Sequence, residues 1–353
     1  MSAGRFAYLD SIRGIAALVV VAEHAALTLS EQYSHFAQSS IVQLFQNMEL
    51  GRFGVMLFFL TSGFVIPWSL NTKYQSPLKR FAITRFFRLY PLYWLSMVLA
   101  LLFGSYGYHY ESYSQVFANI SMMPKFMGHE SLIAVFWTLQ IEMVFYLICA
   151  FLFYFSVLRH RMLNFTVTLG WLFMSLVVAW VNSSFQRQIP IALPLALFAM
   201  FYGGLLRQCF IDKSQEAQHD VMKLSICMVI LMPLSLYLNY QVAWLDFLIA
   251  NAGAFICFIV LISYFKITSN AIAYLGVISY SVYLMHPIIL NGYMTLMDES
   301  ALAIIPASWS IAIICISSIC FAILTYKYVE TPFIKLGREI QGRVSPPVSQ
   351  RPV

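Results

Sequence analysis

The chain has 353 residues, of which 60% are apolar and only 10% are charged. Soluble domains carry about 25% charged residues, so this composition excludes an ordinary water-soluble globular protein. The net charge of +6 would suit a nucleic-acid-binding protein, but membrane topology explains it, as shown below, and no nucleic-acid partner is expected.

Apolar segments of about 20 residues, long enough to cross about 30 Å of hydrocarbon, recur along the chain. Lipid admits only helices or closed barrels, and continuous apolar runs exclude the alternating strands of a barrel. We therefore predict an all-α fold, a polytopic integral membrane bundle of about ten transmembrane helices. The predicted spans are 9–29, 50–70, 85–104, 136–158, 162–181, 190–210, 222–239, 243–265, 271–294 and 306–326.

Basic residues collect on one side of these predicted helices. If the N-terminus is cytoplasmic, that side receives all of the 21 Lys and Arg residues except Arg52, Lys125 and Arg187. Cytoplasmic connections of membrane proteins carry such an excess of positive charge. An even number of spans with both termini in the cytoplasm is therefore predicted.

The predicted spans form one membrane-embedded domain, 1–335, followed by a short cytoplasmic tail, 336–353, whose prolines and polar residues predict disorder. Two outer connections, about 30–49 and 105–135, are long enough to shape a mouth on the far side of the membrane. The first apolar segment contains several charged residues and is a poor signal peptide, so we expect a retained helix.

The six cysteines lie within or at the ends of apolar segments, with no CxxC spacing and no neighbouring histidine pair. They are expected to be small buried hydrophobic residues. The histidines of the connections likewise show no spacing typical of metal ligands. Neither a metal nor a permanently bound cofactor is therefore expected.

The first predicted helix carries Arg13 and His24, eleven positions apart. In a helix this offset is about 20° beyond three full turns, with a rise of about 16 Å, so both side chains project from one face. Arginine suits a phosphate group, and histidine can act as a general base on an acceptor hydroxyl. Asp10 lies one turn before Arg13 and can pair with it. The alternative is an arginine at the membrane edge and a histidine in a packed helix contact.

Arg85 and Arg88 follow Lys79 and Arg80 in a basic run before the third span. Such a run either cradles phosphates or anchors the topology of the helix. Glu142 lies within the fourth span, with Thr138 and Tyr146 each one turn away on the same face. A carboxylate inside a membrane span suggests function, here the orientation of His24 or of an acceptor hydroxyl, but it also suits a structural partner of an arginine.

Ser279, Tyr283 and His286 form one polar stripe on the ninth predicted helix. The stripe is a candidate for acceptor binding, although a histidine near the outer edge and before Pro287 also suits a structural role. Glu330 is predicted to form an ion pair with neighbouring lysines at the cytoplasmic edge.

Six segments, in order along residues 9 to about 335, resemble the motifs of the acyltransferase family 3 membrane proteins. The opening segment, LDSIRGIA followed by His24, resembles the R-x10-H signature of that family, and RFFRLYP resembles its R-x-x-R motif. The segments are 9–16 with His24 (LDSIRGIA…H), 52–64 (RFGVMLFFLTSGF), 85–91 (RFFRLYP), 137–142 (WTLQIE), 276–287 and 328–332 (YVETP).

The resemblance implies transfer of an acyl group, usually acetyl, from cytoplasmic acyl-CoA to a hydroxyl of a cell-envelope or exported carbohydrate. It implies that His24 is catalytic and that Arg13, Arg85 and Arg88 lie near the charged end of acyl-CoA. We predict Arg13 and Glu142 as catalytic residues together with His24. The expected partners are acyl-CoA, a carbohydrate or lipid-linked glycan, and the bilayer of the cell inner membrane.

Two other functional classes fit parts of the pattern. A transporter of a glycolipid or metabolite would use the intramembrane Arg, His and Glu residues as a binding and proton-relay site, and would move its substrate without consuming acyl-CoA. A membrane scaffold would have no use for the shared register of Arg13 and His24.

Overall fold

A computed structural model describes residues 6–297 and 305–346. In these ranges the chain is helical and contains no β-strand, only an isolated β-bridge between Tyr108 and Ile133. The predicted all-α membrane bundle is confirmed. The helices are α1 Ala7–Gln32, α2 Ser34–Ala37, α3 Ser40–Met48, α4 Leu50–Ser69, α5 Pro77–Phe103, α6 Tyr113–Ile120, α7 Phe136–Tyr154, α8 Arg161–Phe185, α9 Ala192–Phe210, α10 Gln215–Tyr240, α11 Trp244–Ser263, α12 Asn270–Val277, α13 Ser279–Leu296, α14 Ala307–Thr325 and α15 Thr331–Val344.

Among the described residues, eight helical stretches are long and apolar enough to cross a membrane, and nine if the broken pair α12 and α13 counts as one span. One of the eight, Gln215–Ser263, has 49 residues, more than twice the length of a span. It contains α10 and α11, which a 3-10 turn at Gln241–Ala243 separates. Ten spans, the expected number, are reached when α10 and α11 count separately and the broken pair α12 and α13 counts as one span. The side on which each terminus lies stays a prediction.

Contacts divide the described residues into two compact units. Unit 1 draws on Met1–Pro67, Ser156–Val277 and Pro306–Ile311. Unit 2 draws on Trp68–Phe155, Ile278–Ile305 and Ala312–Val353. A single membrane-embedded domain over 1–335 stays a prediction.

Unit 1 packs α1 closely against α12 and α4 against α9. A Cβ on Gly276 of α12 would overlap the carbonyl oxygen of Asp10, and one on Gly63 of α4 would overlap the carbonyl oxygen of Met200 in α9. Small residues let membrane helices approach to backbone contact, where van der Waals packing stabilises them. The backbone of α1 near Arg13 is therefore held directly by α12.

Unit 2 is built around α5, which packs against α13 and α15. Pro77 occupies the first turn of α5, and Gly104, with φ of 75°, ends the helix. The hydroxyl of Tyr280 in α13 donates a hydrogen bond of 2.7 Å to the carbonyl oxygen of Leu89. This bond ties the start of α13 to the first half of α5.

The predicted disordered tail is wrong for residues 336–344, which continue α15. The helix forms because one face of it packs on α5: Gly337 lies against the ring of Phe87, and Gln341 accepts a hydrogen bond of 2.7 Å from Thr84. Sequence polarity alone gave no sign of this tertiary partner. The rest of the predicted tail, 347–353, lies outside the described residues, as does Arg5.

Residues 105–135, expected to be an outer loop, return along α5. The hydroxyls of Tyr90 and Tyr93 donate to the carbonyl oxygens of Ser121 and Asn119 at 2.9 and 2.7 Å. Trp94 donates to the next carbonyl, that of Ile120, at 3.1 Å. Because Tyr90 lies thirteen residues before the end of α5, the segment descends about 20 Å from that end.

Buried amides hold this returning segment together. Gln115 and Asn119 are fully buried, and their side-chain amides donate to the carbonyl oxygen of Glu130 at 3.2 and 3.0 Å. Asn119 also accepts a hydrogen bond from the backbone N–H of Leu132 at 3.0 Å. The non-helical backbone is thereby satisfied inside the protein, as a position within a membrane protein requires.

Candidate active site

The first part of the candidate site is α1 of unit 1, which carries Arg13 and His24 without interruption between Ala7 and Gln32. The calculated register therefore applies, about 20° of rotation and about 16 Å of rise. Both side chains are partly exposed, whereas most of their neighbours on the helix are buried. This rigid helix fixes the spacing of an anion-binding group and a base.

Glu23, which we did not predict as a site residue, lies beside His24 in the sequence and is buried. Its carboxylate accepts a hydrogen bond from the backbone N–H of Gly51 at the start of α4. A Cβ at position 51 would overlap that carboxylate. The sequence signal was present, since an acidic residue inside an apolar run suggests function.

Arg52 follows Gly51 in α4 and is a positively charged residue near this contact. It forms an ion pair of 3.6 Å with Glu49, and its guanidinium lies 4.1 Å from the ring centre of Phe247. Phe247 stacks on Tyr240 at 3.8 Å. Arginine on an aromatic face is a favourable cation–π arrangement, so the α4 end near Glu23 is anchored on α10 and α11.

The other end of α4 is capped by two arginines of unit 1. Arg207 donates to the carbonyl oxygen of Phe64 at 3.2 Å, and Arg159 donates to that of Pro67 at 3.5 Å. Cations at the C-terminal end of a helix satisfy its last carbonyl groups and complement its dipole. These contacts give both arginines a structural role.

A separate group of predicted site residues lies in unit 2, around Arg85 of α5. The Nη2 atom of Arg85 donates to the hydroxyl of Ser69 at 3.1 Å. The guanidinium lies 5.2 Å from the ring centre of Phe81 and 5.1 Å from that of Tyr146. Its Nε atom is buried and makes no hydrogen bond within the part of the chain that the structure describes. Arg85 is thus held in one orientation with a donor left over.

Glu142 joins this group through Tyr146, whose hydroxyl donates a hydrogen bond to the carboxylate. Arg88, one turn after Arg85, is close enough for its charge to act on Tyr146 as well. Unit 2 therefore gathers the predicted residues Arg85, Arg88 and Glu142 into one cluster. The contact favours the structural alternative for Glu142, a carboxylate that supports an arginine.

The predicted stripe on α13 is buried in unit 2. Ser279 and His286 are fully buried, and the hydroxyl of Tyr283 lies 2.9 Å from that of Thr138 and donates to the carbonyl oxygen of Val135 at 3.2 Å. Helix α13 continues to Leu296, so His286 lies near its middle and not at its edge. Tyr283 therefore connects α13 to α7.

Glu330 occupies the end of a π-helical turn, Tyr326–Glu330, and is buried. It accepts a hydrogen bond of 2.8 Å from the hydroxyl of Ser281 in α13. We expected an ion pair with the neighbouring lysines at the cytoplasmic edge, whereas the carboxylate is buried inside unit 2. The hydrogen bond from Ser281 offsets part of the cost of that burial.

Arg13 and His24 thus belong to unit 1, and the other predicted site residues belong to unit 2. No group of three or more His, Cys, Asp or Glu side chains is placed to hold a metal ion within 6–297 and 305–346.

Comparison with known proteins identifies the family of the chain. Residues 6–327 match the family model of acyltransferase family 3, which is described as an acyltransferase domain. This range includes Arg13, His24 and the whole cluster around Arg85. Neither a curated protein nor a solved structure shows significant similarity to the chain. The family match favours an acyltransferase over the transporter considered above. The chain belongs to acyltransferase family 3 and is a multi-pass membrane acyltransferase.

Proposed function

We propose that the protein transfers an acyl group, most simply acetyl, from cytoplasmic acyl-CoA to a hydroxyl of a cell-envelope or exported carbohydrate, in the inner membrane. The observation that carries the proposal is the unbroken α1 helix, which holds Arg13 and His24 on one face about 16 Å apart. An extended donor with a charged end and a distant thioester suits this spacing.

In this proposal Arg85 and Arg88 of unit 2 bind phosphates of the donor, and the expected role of Arg13 of unit 1 at the charged end of the donor stays a separate prediction. The guanidinium of Arg85 supports it, because Ser69, Phe81 and Tyr146 fix its orientation before any ligand arrives. A planar guanidinium held in this way donates paired hydrogen bonds to a phosphate at a low entropic cost. Glu142 positions Arg85 through Tyr146 and does not take part in the chemistry.

His24 acts as the general base. It removes the proton of the acceptor hydroxyl while the hydroxyl oxygen forms a bond to the thioester carbonyl carbon. The carbon–sulfur bond breaks, and the proton passes from His24 to the departing thiolate of CoA. The reaction needs no other reactant, so no bound cofactor is proposed.

The acceptor is a carbohydrate or a lipid-linked glycan. Ser279, Tyr283 and His286 were predicted to bind it, and for Ser279 and His286 this stays a prediction. The hydrogen bonds of Tyr283 to α7 support a structural role for that hydroxyl.

The test uses the purified protein in liposomes with labelled acetyl-CoA and candidate glycans. His24→Ala and Arg13→Ala should each remove most of the transferred label, through kcat for His24 and through the KM of the donor for Arg13. His219→Ala and Arg187→Ala are matched controls, since both side chains are exposed and no role is proposed for them. Undiminished transfer in both site variants would falsify the mechanism. Loss of label from acetyl-CoA without release of the CoA thiol would point to another reaction.

A further inference from the structure

Helix α6, Tyr113–Ile120, buries polar side chains and exposes apolar ones, the opposite of a helix on the surface of a water-soluble protein. Its buried side carries Gln115 and Asn119, both fully buried, whereas Tyr113 and Phe117 on the opposite side are 79% and 71% exposed. With Ile120 these two residues lie at i, i+4 and i+7, which places all three on one face. We call Tyr113, Phe117 and Ile120 the apolar face of α6.

The fold fixes the depth of this face along a membrane-spanning helix. The carbonyl oxygens at the end of α6 accept hydrogen bonds from Tyr90, Tyr93 and Trp94, in the middle of α5. On either side of this contact, α5 exposes Phe86 and Val98, by 40% and 47%. The end of α6 therefore lies within the stretch of α5 whose outward side chains are apolar.

The neighbourhood of α6 continues that apolar surface. Phe86 and Tyr90 stack with ring centres 4.9 Å apart, and Tyr90 and Trp94 meet at 5.4 Å, so a ladder of aromatic rings leads along α5 to the end of α6. Helix α6 contains no charged residue. The charged residues of the connection lie outside the helix, where Lys125 pairs with Glu130 at 3.3 Å and Glu111 pairs with His109 at 2.8 Å.

We propose that the apolar face of α6 contacts the acyl chains of the bilayer, so that α6 is inserted into the leaflet at the C-terminal end of α5. Lipid is the occupant because the face continues the exposed apolar surface of a spanning helix and because its backbone groups are satisfied internally. A helix with polar residues inside and aromatic residues outside is stable in hydrocarbon and unfavourable in water.

Photo-crosslinking in liposomes of phosphatidylethanolamine and phosphatidylglycerol tests the proposal. The full chain carries p-benzoylphenylalanine in place of Phe117, an aromatic-for-aromatic exchange that preserves folding. Phe103, 68% exposed at the end of α5, is the positive control, and Glu111, exposed just before α6, is the water-facing control. Each variant is irradiated, and lipid adducts are measured by mass spectrometry.

Lipid adducts at position 117 should approach the yield at position 103 and exceed that at position 111 by about tenfold, as expected for a side chain within the acyl region. A yield at 117 equal to that at 111 overturns the proposal. Adducts that join position 117 to an added glycan or to a second copy of the chain, in place of lipid, also overturn it and assign the face to that partner. The experiment does not depend on transferase activity, so failure of the proposed function would leave its result unchanged.

Discussion

Tyr146 donates a hydrogen bond to Glu142 one helical turn before it, while the ring of Tyr146 lies against the guanidinium of Arg85. In this contact the carboxylate reaches the arginine through a phenol. This arrangement holds the Tyr146 ring in place and, with it, the orientation of Arg85.

Tyr146→Phe removes the hydroxyl but keeps the aromatic ring, and so tests whether the hydrogen bond to Glu142 positions Arg85. The hydrogen bond to a carboxylate contributes about 1.5 kcal/mol or more, which corresponds to about a tenfold change in an equilibrium constant. We expect the KM for acyl-CoA to rise about tenfold, with kcat and the acceptor KM little changed. Tyr154→Phe is the matched control, since Tyr154 is exposed on the same helix. Equal donor KM values in the two variants would contradict the positioning role.

Gly276→Ala tests the backbone contact that holds α1. A methyl group at this position would overlap the carbonyl oxygen of Asp10, one turn before Arg13. The helices must separate, at a cost of about 1–3 kcal/mol for overpacking, and Arg13 moves with α1. We expect a lower Tm in detergent and a loss of transfer. The control is Gly170→Ala, where an added Cβ meets nothing within 4 Å. That variant should keep its stability or gain up to about 1 kcal/mol from helix propensity.

The all-α bundle followed from the sequence because hydrocarbon leaves a chain this apolar almost no other choice. The relation between Arg13 and His24 was equally accessible, since the geometry of a helix fixes the angle between two positions. The cluster around Arg85 could not be predicted in this way. Arg85 lies far from Glu142 and Tyr146 in the sequence, and neither spacing nor periodicity relates it to them.

Residues 105–135 show most clearly what the sequence could not supply. Their polar side chains are typical of an aqueous loop, yet Gln115 and Asn119 are buried and serve the backbone of the same segment. Only the tertiary partners, Tyr90 and Tyr93 on α5, decide which way such a segment turns. The contact of α15 with α5 could not be predicted for the same reason, since the polar sequence of α15 does not indicate a tertiary partner.

Glu23→Ala and Glu23→Gln together test the contact between α1 and α4 beside His24. Alanine leaves the N–H of Gly51 without its acceptor, which costs about 1–3 kcal/mol in a buried position. Glutamine keeps an acceptor oxygen and should restore most of the stability and the transfer rate. Thermal unfolding and labelled-acetate transfer provide the two readouts. Glu31→Ala, at the exposed end of the same helix, should change neither. If glutamine is as damaging as alanine, the negative charge matters and not the hydrogen bond.

Arg161 offers an internal comparison between a buried and an exposed ion pair in unit 1. Its Nε atom lies 2.6 Å from Asp220 and its Nη1 atom lies 2.6 Å from Glu216, but the Asp220 side chain is 4% exposed and that of Glu216 is 71% exposed. An exposed pair contributes at most about 1 kcal/mol because water and salt screen it, so Glu216→Ala should scarcely lower the Tm.

Asp220→Ala removes the buried partner, together with a second hydrogen bond of 3.2 Å from Nη2 of Arg161. The arginine keeps Glu216 and partial access to solvent, so we expect a loss of about 2 kcal/mol, between the values for exposed and for fully buried pairs. Arg161→Ala should cost more, because it leaves the carboxylate of Asp220 buried without its cation. Chemical denaturation at low and high salt gives the comparison. The order Arg161→Ala, Asp220→Ala, Glu216→Ala should hold at both salt concentrations, since burial and not long-range charge determines it; a reversal at high salt would show that screening dominates.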